Sequence, residues 1–197
     1  MSSKTESAPP TSRRRRYSTR LIMTAAAIGA GMGIIILPLE YVVLAIEGSL
    51  PVVATITYGI WGMAALIPLA LLRRMGVGVI GSVVAGLISS FSPYGLFMVI
   101  EMLLWGVLME LPYLITRYRF FGPRMFTISG LVVGAVSCAL SSIELNFGAM
   151  TTGVVIAVIV VQIASFAACG LLSWAIARGL QRAGIAGGRR DRGTTAA

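Results

Sequence analysis

The chain has 197 residues, 57% of them hydrophobic and 12% charged, with a mean hydropathy of +0.89. Soluble domains carry about a quarter charged residues, so these values exclude that class and imply an integral membrane protein. The net charge of +9 does not point to nucleic acid, because every Lys and Arg sits in a tail or at the end of an apolar run, where positive residues set topology.

Residues 1–20 are polar, contain Pro9-Pro10 and end in the run Arg13-Arg14-Arg15-Arg16. Such a composition cannot bury enough surface to fold alone, and reads as a disordered basic cytoplasmic tail. A cleavable signal peptide is the competing reading, but the apolar stretch that follows, about 21–39, exceeds the usual h-region of about 7 to 15 residues. Further apolar segments lie at about 52–72, 76–91, 96–116, 125–142 and 150–177. Each is near the ~20 residues a helix needs to cross the hydrocarbon, the third being short. Only helices satisfy their backbones singly in lipid, so the expectation is an all-α membrane protein with six transmembrane helices in a domain spanning 21–178, followed by a basic tail, 179–197.

The connections divide by charge. Both tails, Arg73-Arg74 and the Arg117/Arg119/Arg124 loop are basic, whereas the stretches holding Glu40/Glu47, Ser92-Pro93-Tyr94 and Glu144/Asn146 contain no Lys or Arg. The positive-inside rule then puts both termini in the cytoplasm and the multi-pass chain in the cell membrane.

The first span carries Ala26 and Ala30 as AxxxA and Gly29 and Gly33 as GxxxG. Small residues four apart flatten a helix face for close approach, either inside the bundle or at a subunit interface. The third span is similarly smooth at Gly78, Gly81, Ser82 and Gly86, and is expected to pack tightly on two sides.

The fourth span holds two carboxylates, Glu101 and Glu110, and an ionisable group within a membrane marks a candidate functional site. Nine helical steps of about 100° turn them to opposite sides of one helix. Glu101 shares a stripe with Trp105, Leu108 and Pro112, and Glu110 shares one with Gly106, Tyr113, Leu114 and Arg117. Pro112 predicts a kink between the halves. With the deduced topology Glu101 lies in the outer third, and Trp105 offers an aromatic floor one turn below it. Tyr58 and Trp61, three apart on the second span, supply a second aromatic wall, and Tyr94, Glu144 and Asn146 are placed to close the mouth. A carboxylate among aromatic rings suits a small cationic or heteroaromatic ligand. Interfacial polarity and an aromatic belt explain the loop residues and the rings equally well. For Glu110 the alternatives are a transport role and a structural pair with Arg117 or a basic residue of the next loop. Trp174 reads as an interfacial anchor.

Enzyme classes fare poorly. The chain has no histidine and one lysine, Lys4, so a GxxxxGK[ST] phosphate loop is absent, as are HExxH, GxSxG and any Asp within a span. Cys138 and Cys169 are solitary, which suggests neither a metal nor a redox motif. No cofactor is indicated.

Several features together resemble the substrate-binding S component of energy-coupling factor (ECF) transporters, and within it the YkoE-type branch associated with thiamine and its hydroxymethylpyrimidine precursor. These are AxxxA in the first span, Tyr58-Gly59-Ile60-Trp61, the turn Leu72-Arg73-Arg74-Met75-Gly76, and Gly106-Val107-Leu108-Met109-Glu110 leading to Thr116-Arg117-Tyr118. The resemblance is best over 52–135. It departs at Met75, where Pro is expected, at Ser82 and Ser89, where acids are expected, and at Trp105, where Gln is usual. The resemblance implies a non-enzymatic subunit that captures a vitamin-like solute and partners with a transmembrane coupling protein and two cytosolic ATPases. It further implies that Ala26 and Ala30 meet the coupling protein and that Glu110 is the family-matched carboxylate. Two other classes stay open on the residues alone: an ion-coupled secondary transporter using Glu101 or Glu110, and a membrane scaffold whose small-residue faces are its purpose.

Overall fold

The computed structural model describes residues 18–184, the side chain of Glu144 excepted. The Arg13–Arg16 cluster and most of the C-terminal basic stretch lie outside the described residues. All regular structure among them is helical, and five helices are long and apolar enough to cross a membrane.

α1 runs from Thr19 to Ile46, opened by Ser18, whose hydroxyl accepts the Leu21 amide at 3.3 Å. It is longer than the apolar run predicts. The break expected at Pro38-Leu39-Glu40 does not occur, because Tyr41 to Ile46 resumes the apolar pattern and Pro38 is accommodated inside the helix. Glu40 is therefore a buried helical residue, not part of a loop.

The second span is interrupted. A short α2 (Pro51–Thr55), with Pro at its first turn, gives way at Ile56-Thr57 to α3 (Tyr58–Leu72). Ser165 bridges the break: its hydroxyl donates to the Ile56 carbonyl at 2.5 Å and accepts the Gly59 amide at 3.1 Å. α3 is the central helix, buried on every side from Trp61 to Leu71. It ends at Arg73, whose φ of 49° lies in the left-handed region, and α4 (Val77–Ser89) begins after Gly76, with φ of 78°.

At 13 residues α4 is about 20 Å long, short of the ~30 Å hydrocarbon thickness. It is enclosed by α1, α3 and α5 (Phe97–Ile115), which supplies the partners that lipid cannot. The close approaches follow from glycine. A Cβ at Gly29 would run into the Gly81 carbonyl, one at Gly33 would meet Ala85 and Ile88, and one at Gly81 would meet the Ala64 carbonyl and Pro68. The GxxxG of α1 is thus an internal contact with α4, and α4 is tight on both flanks. α5 continues as helix through Pro112.

α6 (Pro123–Glu144) and α7 (Thr152–Arg182) form a closely packed pair joined by a 3-10 turn at Phe147–Ala149. Here too glycine sets the spacing, since a Cβ at Gly130 would collide with the Phe166 carbonyl. α7 extends beyond the apolar run to Arg182, and the Gln181 amide reaches the Ala70 and Leu71 carbonyls at 3.3 and 3.4 Å, tying its end to α3. Trp174 lies under the Arg178 guanidinium at 4.5 Å. α5 and α6 touch one another far less than α4 and α5 or α6 and α7 do. That gap holds the site.

Candidate functional site

Two adjoining hollows, of about 320 and 240 Å³, share Tyr58, Trp61, Phe97 and Glu101. The larger lies between α5 and α6, with Trp105, Leu104, Ser137 and Ser141 among its walls. The smaller turns toward α1, where it meets Val43, Glu47 and Tyr94. Every wall comes from the end of the bundle opposite the arginines: the close of α1 and α6 and the start of α3 and α5. No basic side chain lines either hollow, while Glu47 and Glu101 do, so the electrostatic environment favours a cation.

The rings are held by one another. Tyr58 and Trp61 stack at 4.9 Å with 16° between their planes, and the Tyr58 hydroxyl donates to Glu47 Oε1 at 3.3 Å. Trp105 leans on Phe166 at 5.8 Å, and its indole N–H donates to Glu101 Oε1 at 3.2 Å. That i, i+4 bond fixes the carboxylate along the helix stripe that the spacing places it on. The indole N–H of Trp61 is buried and makes no hydrogen bond within the protein.

Pattern reasoning passed over Ser137 and Ser141 in the far wall and Gln162 behind it. Gln162, buried on α7, donates to Ser137 Oγ at 2.6 Å and Ser141 Oγ at 3.0 Å, and its own Oε1 has no protein partner. The signal was present in the sequence: Gln162 is the one amide side chain in the apolar stretch 152–177, and an interior amide needs partners.

The structure thus brings Tyr58, Trp61, Glu101, Trp105 and Tyr94 to one place. Asn146 is exposed, outside both hollows, in a left-handed conformation that starts the 3-10 turn. Glu110 is also elsewhere. Its carboxylate sits at the opening of α4, accepting the amides of Gly78 at 2.6 Å, Gly76 at 2.9 Å and Val79 at 3.4 Å, and the Tyr118 hydroxyl at 3.0 Å. Among the described residues it makes no ion pair with Arg117. The negative charge meets the positive end of a helix whose first amides have no helical acceptor. Ala26 and Ala30 are half-buried on α1, beside the outward and open Gly31. Among the described residues no three His, Cys, Asp or Glu side chains gather as a metal would require.

A family profile described as "ABC-type cobalt transport system, permease component" matches residues 20–136. The chain belongs to this family. The cobalt-transport permease match takes in α1 to α5 and most of α6, and so every aromatic residue that lines the hollows. A crystal structure of an S component of an ECF transporter superposes with a TM-score of 0.79 at 19% identity, covering 87% of this chain and 89% of that one. This permease therefore has the S-component fold and is a multi-pass membrane protein of a transport system. Comparison with curated proteins by sequence gives no match.

Proposed function

We propose that this chain is the substrate-capture subunit of an ECF-type importer, taking a vitamin-sized organic cation or heteroaromatic solute such as thiamine or its hydroxymethylpyrimidine precursor. The observation that carries the reading is the hollow in which Tyr58, Trp61, Phe97 and Trp105 surround the Glu101 carboxylate with no basic side chain beside it. At about 320 Å³ it falls at the lower end of small-molecule sites, which begin near 300 Å³. A flat cationic ring gains stacking and cation–π energy from the walls, neutralises Glu101, and finds the Ser137 and Ser141 hydroxyls as polar partners.

The family name raises cobalt as cargo, but the donors here do not suit it. The chain lacks histidine, and the hollow's lining is mostly carbon with two carboxylates. A transition ion prefers imidazole, thiolate or several carboxylates.

In this reading the chain crosses the membrane six times with both termini in the cytoplasm, and the hollow opens toward the outside, where solute arrives. ATP hydrolysis then belongs to two separate cytosolic subunits joined through a transmembrane coupling protein, and the α1 face around Ala26 and Ala30 is the docking surface. The test is fluorescence titration of the purified protein, whose Trp61 and Trp105 line the site, with thiamine and with hydroxymethylpyrimidine, alongside mass spectrometry of small molecules carried through purification. Saturable quenching by either compound, weakened by Glu101→Gln, is expected. Cobalt binding that both organic solutes fail to compete would overturn it.

A further inference from the structure

A further hollow, of about 410 Å³, lies at the arginine-rich end of the bundle, away from the solute site. It is lined by Phe120, Gly122, Pro123, Arg124, Met125 and Ile128, and so is built by the α5–α6 connection and the first turns of α6. The segment Pro123–Ile143 is long and apolar enough to cross a membrane, which sets these first turns at the level where hydrocarbon gives way to headgroups. Arg124 is the one charged side chain in the lining, and the others are apolar. Phe120 is 64% exposed and Ile128 50%, so no helix of the bundle covers this carbon surface, and leaving it to water is unfavourable.

The charge around the hollow has one sign. Arg117, Arg119 and Arg124 are exposed, and Arg73, from the turn between α3 and α4, lies over the Phe121 ring at 5.5 Å, which brings its guanidinium to the same connection. From 48 to 143 the acids are Glu101, which lines the solute hollow, and Glu110, whose oxygens are engaged at the opening of α4. Neither balances these arginines. α6 also opens at Gly122 without a side-chain cap, so the positive pole of its dipole adds to the Arg124 charge. A small counter-ion would screen the arginines and leave the carbon uncovered, whereas a neutral lipid would do the reverse. A lipid with a net negative headgroup answers both, and basic clusters at the ends of membrane spans attract such headgroups.

We propose that this hollow binds one anionic phospholipid, its phosphate on Arg124 and a length of acyl chain against Phe120, Met125 and Ile128. The site stands apart from the solute hollow and does not depend on which ligand that hollow takes.

The experiment titrates the purified full chain, in a neutral detergent, with dioleoyl phosphatidylglycerol and with dioleoyl phosphatidylcholine, and counts bound lipid by native mass spectrometry. Phosphatidylglycerol is expected to bind about tenfold more tightly than phosphatidylcholine. Arg124→Gln, at an exposed position, removes that preference. Arg74→Gln deletes an equal charge from an exposed site at the same end but outside the hollow, and lowers phosphatidylglycerol affinity by about threefold or less. Phe120→Ser/Ile128→Ser, which keeps every arginine and alters two exposed side chains, weakens both lipids about tenfold. Thermal unfolding confirms that each variant is folded. Equal affinity of the parent for the two lipids overturns the proposal. So do equal losses in Arg124→Gln and Arg74→Gln, which would mean a diffuse basic surface. Unchanged binding in Phe120→Ser/Ile128→Ser overturns it too: it would leave only a phosphate resting on an arginine or, if assembly with partner subunits is lost in that variant, would give the hollow to a protein.

Discussion

Replacing Glu110 by Ala tests whether the family-matched carboxylate serves structure or solute. The side chain is 2% exposed and accepts three amide hydrogens and one phenolic hydrogen. A hydrogen bond to a charged group contributes about 1.5–3 kcal/mol, and an N-cap about 0.5–2 kcal/mol. These do not add, because the four donors share one carboxylate and water reaches part of the loop once it is gone. Removing one side of a buried charged network costs about 3–5 kcal/mol, which sets the scale. For a chain of this size each kcal/mol lowers the midpoint by roughly 2–4 °C, so the loss is on the order of 10 °C. Glu110→Gln keeps one acceptor and turns an NH₂ toward amides, and falls between the two. The assay is thermal unfolding in detergent, paired with a ligand titration well below the midpoint. The helix-capping account requires a lowered midpoint with ligand affinity retained. Unchanged melting together with lost affinity would refute it and return Glu110 to the binding machinery.

Glu101→Gln is expected to weaken a cationic ligand by tenfold or more, about 1.4 kcal/mol, with melting unchanged; titration shows it, and equal affinity removes the charge from the account. Trp105→Phe keeps the wall but drops the indole bond to Glu101, so affinity falls less than in Glu101→Gln. Gly29→Ala drives a methyl into the Gly81 carbonyl and costs about 1–3 kcal/mol, whereas Gly31→Ala, which meets nothing, leaves melting in place. Equal midpoints for the two would refute the close α1–α4 contact. Ala26→Leu/Ala30→Leu is expected to leave ligand binding intact and abolish uptake with the partner subunits, and retained uptake removes that docking face.

Much of the fold was legible because membrane burial writes itself as apolar length and charge asymmetry. The helical segments and the opposed faces of Glu101 and Glu110 came from run length and a 100° step. The errors arose where one residue was given too much weight. Pro38 and Glu40 looked like the end of α1, although six apolar residues beyond them still had to be buried. The Ile56-Thr57 break in the second span carries no Gly or Pro of its own, being held instead by Ser165 from a helix more than a hundred residues later. Gln162 was overlooked because its worth depends on Ser137 and Ser141, which face it only after α6 and α7 have packed.

Two of the motifs that carried the family resemblance turn out to meet in space. The turn ending in Met75-Gly76 and the run ending in Glu110, with Tyr118 shortly after, form one cluster in which a carboxylate caps the helix that the turn begins. A short α4 requires this. With 13 residues, an apolar surround and a left-handed glycine at its entry, it exposes its first amides where only a fixed acceptor can serve them. This part of the pattern is therefore explained by the architecture at the arginine-rich end. Under the proposed function, selectivity is set at the other end, by Tyr58, Trp61, Glu101 and Trp105. Two of the departures from the expected pattern, Trp105 and Ser89, fall at that end, one in the solute hollow and one beside Glu40. A substrate inferred from the turn and the Glu110 run alone would rest on the half of the molecule that does not line the hollow.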